Sequence, residues 1–212
     1  MPVAETSATL ERVGVRGVAV DSGDIRSIYV AHLRVAKPGR YWVVARPVGG
    51  PPIGGIRDLD VKARTASPTV GAKAPASPTP TLATDPFYRL TTRRPPDLGL
   101  LRYSVASSLA AHRPFVLVFA TPRFCESRTC GPVVDVVDAA RRRFAARGIR
   151  FIHVEIYRDN NPAKGENRWV RQWHLPSEPW TFLVGADGRI KAKFEGSVSL
   201  RELAAAIRRF LV

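Results

Sequence analysis

From residue 113 onward the apolar positions switch between two periods. Arg113 to Ala120 (RPFVLVFA) is a continuous apolar run of strand length, the pattern of a strand buried on both faces. Val133, Val136, Val137, Ala140 and Phe144 then recur at i, i+3, i+4, i+7 and i+11, the stripe of an amphipathic helix that Gly148 closes. Arg150 to Ile156 (RFIHVEI) predicts a second buried strand, and Asn167 to His174 a short helix. TFLVGADGRIKAKFEG, residues 181–196, predicts two strands joined around Asp187-Gly188. Ser199 and Glu202 form a capping box ahead of Leu200, Leu203, Ala204, Ile207 and Leu211, a last helical stripe. The predicted order is β, α, β, α, β, β, α, which makes the class α/β.

The chain before this region reads differently. IRSIYVAHLRV (25–35) and RYWVVARPV (40–48) are rich in β-branched and aromatic residues around Lys37-Pro38-Gly39, which predicts a hairpin, and 54–64 predicts a third strand. A tyrosine-bearing strand, a Pro-Gly turn and a second aromatic strand resemble the closing strands of an immunoglobulin-like sandwich. Such a sandwich takes about seven strands and about 100 residues, so a truncated segment is expected. TASPTVGAKAPASPTPT, residues 65–81, holds four Pro, four Thr and two Ser without apolar periodicity, the look of an extended polar linker. The expected organisation is a partial immunoglobulin-like β segment over 1–64, a linker over 65–84 and an α/β domain over 85–212.

Composition narrows the class. Of the 212 residues 45% are hydrophobic and 24% charged, and no apolar run reaches the roughly 18 residues of a membrane-spanning helix. The first residues carry acids early and lack an apolar stretch with a small-residue cleavage site, so no secretory signal is read there. The expected location is extracytoplasmic if residues are missing upstream and cytoplasmic otherwise. Thirty-three basic against 18 acidic residues give a net charge of +15, which raises nucleic acid or anionic membrane as partners. The excess is spread over the chain, with 11 basic and 6 acidic residues in 1–84 and 22 and 12 in 85–212. A solvated Arg-rich surface is the simpler reading, and no nucleic-acid partner is expected.

Cys125 and Cys130 are the only cysteines, five apart, so a stapled framework and a four-cysteine zinc site are both excluded. A cysteine pair between the first strand and first helix of this element order resembles the thioredoxin-like superfamily. Three pieces carry the resemblance: FVLVFATPRFC (115–125), CGPVVDVV (130–137) and EPWTFLVGADGRIKAKFEG (178–196). VGAKAP (70–75) is also similar to the opening segment of TlpA-like thiol:disulfide oxidoreductases. The resemblance implies a central mixed sheet flanked by helices, a cis-proline at Pro179 beside the cysteines, and thiol/disulfide exchange with protein thiols and disulfides through Cys125, Cys130 and Pro179, with no bound cofactor. The family spacer is two residues and this one is four, Glu-Ser-Arg-Thr, so counting from the strand makes Cys125 the nucleophile while counting from the helix gives Cys130 that place. A thiol at a helix N-terminus is favoured as thiolate, which points to Cys130 as the more reactive sulfur, ahead of Gly131-Pro132.

Other residues have candidate roles. Pro132, Trp180 and Thr181 are expected to line a substrate groove, and Glu155, within a buried strand, to relay protons or form a structural ion pair. His153 reads as a satisfied core histidine, and Trp169 and Trp173 as core or groove aromatics. Two rival functions stand beside oxidoreductase activity. One is a catalytically silent thioredoxin-fold binding module with a structural disulfide. The other is a Cu(I)-handling protein whose soft ligands would be Cys125, Cys130 and His174. A peroxidase of the peroxiredoxin kind wants Thr three residues before the reactive Cys, and Thr121 precedes Cys125 by four. Nothing in the sequence speaks to oligomeric state.

Overall fold

The computed structural model describes residues 3–13, 25–49, 53–125 and 128–212, with the backbone alone for 53–57. The chain divides into two compact units. The smaller holds Met1–Thr9 and Val30–Thr65, the larger Leu10–Tyr29 and Ala66–Val212. A piece of the chain before residue 64 belongs to the larger unit.

Strand β1 (Thr9–Arg12) pairs with β2 (Ser27–Val30), and β3 (Gly39–Ala45) pairs antiparallel with β4 (Ile53–Val61). The hairpin expected across Lys37-Pro38-Gly39 is therefore not formed. Only four residues of 25–35 are strand, and they hydrogen-bond with the chain before them. The Lys37 corner is closed by a side chain instead, the Tyr41 hydroxyl donating to the Lys37 carbonyl at 2.7 Å. The long ladder runs from Gly39 opposite Val61 to Ala45 opposite Ile53, with one irregularity between Trp42 and Val43.

In the larger unit, short helices α1 (Phe87–Leu90) and α2 (Val105–Ala110) precede β5 (Phe115–Phe119). Then follow α3 (Cys130–Arg143), β6 (Arg150–Val154), α4 (Arg168–Gln172), β7 (Trp180–Val184), β8 (Ile190–Glu195) and α5 (Leu200–Phe210). The sheet order is β6-β5-β7-β8, with β5 parallel to β6 and antiparallel to β7, and β7 antiparallel to β8. A βαβ unit is thus joined to a ββα unit in one mixed sheet.

Strand periodicity divides β5 between two cores. Val116, Val118 and Ala120 pack with Val133, Val136, Val137 and Ala140 of α3 and Leu203, Ala204 and Ile207 of α5. Phe115, Leu117 and Phe119 face the opposite cluster with Ile152, Val154, Phe182, Val170 and Trp173. Every residue of β5 is fully buried because both faces are covered. Phe119, Trp173 and Phe182 form an aromatic group, with the Trp173 and Phe182 centroids 4.7 Å apart.

The stretch read as a linker is part of this fold. Gly71 N–H donates to the Ile190 carbonyl, Ile190 N–H to Ala72 and Ala74 N–H to Gly188, so 71–74 lies against the start of β8. Ser77 is fully buried: its hydroxyl donates to Gln172 Oε1 at 2.7 Å, accepts from Trp173 Nε1 at 2.9 Å, and its carbonyl accepts from Ala106 N–H. Thr79 Oγ1 accepts from Val105 N–H at 3.1 Å. The polar composition satisfies buried donors and acceptors, which is why it lacks an apolar period. Ser77→Ala strands the Trp173 indole N–H in the core and is expected to lower unfolding stability by about 1–3 kcal/mol, measured by urea denaturation. A free linker would show no change.

Candidate functional site

The site begins where β5 ends. After Ala120 the chain turns through Thr121 to Phe124 and reaches Cys125, and α3 opens with Cys130 at its first position. Glu126 and Ser127 of the spacer lie outside the described residues. Arg128, at φ 57° in the left-handed region, offers its carbonyl to Ile25 N–H at 3.4 Å. Cys125 is partly exposed and Cys130 fully buried. Their sulfurs and a Glu178 carboxylate oxygen all lie within 4.8 Å of one another.

The helix N-terminus acts on the sulfur opposite to the one expected. Thr129, the residue before α3, makes no side-chain cap. The first helical N–H, that of Cys130, instead donates to Cys125 Sγ at 3.2 Å, so this sulfur occupies the place of a capping oxygen and its thiolate gains from the N–H and the helix dipole. Cys130 is the buried member of the pair. Its thiol is pushed far above the ordinary range by its hydrogen bond to Cys125, then by burial, then by the negative charge at Cys125 and Glu178; the Thr121 backbone N–H acts in the opposite sense. Pro132 sits third in α3, not first. The N–H donor that favours a thiolate thus belongs to Cys130 but points at Cys125.

Thr121 links the cysteine pair to a buried carboxyl, Glu155: its backbone meets Cys130 and its side chain meets the carboxyl. Burial raises the Glu155 pKa above its ordinary value, against the charge of His153 and hydrogen bonds from the Thr92 N–H, the Thr92 hydroxyl and Thr121. Thr92 donates to Glu155 Oε1 from its N–H at 2.6 Å and its hydroxyl at 2.9 Å, and that hydroxyl also accepts from Arg123 N–H at 3.1 Å. Thr92 so ties the carboxyl to the loop that carries Cys125. Glu155 Oε2 and Thr121 Oγ1 are both buried. His153 lies 4.0 Å from Glu155 and meets the Ala120 carbonyl at 2.9 Å through Nε2, and burial lowers its pKa. Glu155 also forms part of the wall of a cleft of about 300 Å³, together with Tyr157, Asn160 and Trp169. Arg93 pairs with Asp135 of α3 at 2.7 Å and holds the segment bearing Thr92 against that helix.

Several expected site residues lie elsewhere. The Glu178–Pro179 peptide is cis, as is Arg94–Pro95, and Pro179 is buried. Pro132 is buried, Trp180 is 3% exposed and Thr181 fully buried, so none lines an accessible groove: β7 is a central strand covered on both faces. The Trp180 ring stacks on Phe182 at 5.7 Å, and its Nε1–H donates to Ser177 Oγ. His174 is exposed and stands outside the cysteine cluster, in which Glu178 takes the third position. Sequence reasoning missed Glu178, Thr92 and the bridging place of Thr121. Glu178 was within reach of it, since it directly precedes the proline expected beside the cysteines.

No family model matches the chain, and no curated protein matches it. Among solved structures it is similar to one described as the crystal structure of a thiol:disulfide interchange protein, a thioredoxin family protein from Chlorobium tepidum TLS. The two share 13% sequence identity with a TM-score of 0.41, over 71% of this chain and 99% of that one. At that distance the fold assignment rests on the strand order and directions described above.

Proposed function

We propose that the protein exchanges thiols and disulfides with protein partners, with Cys125 as nucleophile and Cys130 as resolving thiol. The observation that carries the reading is the asymmetric pair: a partly exposed sulfur that receives a helix N-terminal N–H, within 4.8 Å of a fully buried sulfur.

In the reducing direction, Cys125 thiolate attacks one sulfur of a partner disulfide. That S–S bond breaks, a partner thiolate leaves, and a Cys125–partner disulfide forms. Cys130 then passes its proton to Glu155, with Thr121 between them, and attacks Cys125 Sγ. The mixed disulfide breaks, the second partner thiolate leaves, and Cys125 and Cys130 become a disulfide. The partner gains two electrons and the cysteine pair loses two. The two partner thiolates take up protons from water, and Glu155 returns its proton through the neighbouring cleft. The reverse sequence oxidises a partner dithiol.

The test is a redox titration with reduction of a protein disulfide such as insulin as the companion assay. Exchange predicts a potential above about −300 mV and measurable turnover. A potential well below that, with no turnover, would mark a structural disulfide and overturn the reading.

A further inference from the structure

We propose that the reduced protein holds a zinc ion through Cys125 Sγ, Cys130 Sγ and a Glu178 carboxylate oxygen, with the fourth position open. The inference goes beyond disulfide exchange and requires only that both thiols be reduced.

Three separate elements bring the donors together: the loop after β5, the first residue of α3, and the segment before β7. The three atoms lie within 4.8 Å of one another. Zinc bonds of about 2.3 Å to sulfur and about 2.0–2.2 Å to oxygen place tetrahedral ligand atoms roughly 3.5–3.8 Å apart, so closure takes about an ångström of side-chain rotation. All three donors are anionic when deprotonated, and their mutual repulsion is what a divalent cation removes. The donor set also selects the ion. Two thiolates exclude magnesium and calcium, whereas Cu(I) would gain little from a hard carboxylate; zinc accepts both donor types. The ion and the disulfide compete for the same sulfur electrons, so oxidation of the pair releases the metal.

The experiment uses the full chain, reduced and freed of reductant, and titrates it with Zn²⁺ against a chromophoric chelator. One Zn²⁺ per chain is expected, lost on oxidation to the disulfide. Cd²⁺ as a probe should give the ultraviolet charge-transfer band of two thiolates. Glu178→Gln keeps the shape and both sulfurs, so it should leave that band in place while weakening Zn²⁺ binding about tenfold or more. Unchanged affinity in Glu178→Gln, no Zn²⁺ binding by the reduced chain, or equal binding by the oxidised chain would each overturn the site. The readout is metal binding, so a chain that binds zinc without reducing disulfides would sink the proposed exchange alone, and the converse result would sink the zinc site alone.

Discussion

Cys130→Ser is expected to trap a covalent complex with a disulfide-bearing partner, and Cys125→Ser to form none. The first variant retains the sulfur that accepts the Cys130 backbone N–H, so it can complete the opening attack and then stalls for lack of a resolving thiol. Turnover falls to background in both, but only Cys130→Ser accumulates the mixed disulfide, read by mass on a non-reducing gel. Alkylation of the reduced wild type near pH 7 should label Cys125 first, because Cys130 is fully buried and its thiol is raised. Each pKa unit between the two is about tenfold in thiolate fraction. Preferential labelling of Cys130, or a complex trapped by Cys125→Ser, would reverse the two roles.

A second large effect is expected at Glu155. Glu155→Gln keeps an oxygen for Thr92 but cannot accept a proton, so decay of the mixed disulfide in a single-turnover assay should slow by about a hundredfold or more. The inflection that Glu155 gives the wild-type pH profile of that step should vanish with it. Stability moves the opposite way. The folded-state pKa of Glu155 is raised above the ordinary 4.5, so the folded chain binds a proton that the unfolded chain has released. Its contribution is fully present below the unfolded pKa and is lost as pH rises through the folded one. Glu155→Gln should therefore be more stable than wild type at pH 8, with the gap closing toward pH 4 in thermal melts. A variant that resolves at the wild-type rate, or that is destabilised at pH 8, would make Glu155 purely structural.

Much of the larger unit was legible because its elements carry strong periods. The apolar run at 115–119 and the stripe Val133, Val136, Val137, Ala140 correspond to β5 and α3, whose residues are buried as their spacing implies. The linker reading failed at Ser77 and Thr79 because hydrogen-bonded burial leaves no hydrophobic signature. The hairpin reading failed because strand composition fixes neither partner nor direction, and β3 found its partner downstream. At the site, the cysteine spacing was visible but the direction of the helix-terminal N–H was not. The helix start at Cys130 suggested that its own sulfur would benefit, whereas backbone geometry delivers the bond to a residue five earlier. Thr92 lies 63 residues from the carboxyl it binds, beyond the reach of any local motif.

The pairing of 71–74 with the start of β8 bears on how polypeptides can approach. β8 ends the sheet, and the open backbone of a terminal strand is where a foreign chain would add by strand augmentation. Here Gly71 and Ala72 already occupy the hydrogen-bonding positions of Ile190, while Lys191 and Lys193 put charge on the residues that follow. At Ile190 an incoming chain would have to displace a resident one before it could pair there. Recruitment by backbone templating is thereby discouraged at the start of this edge.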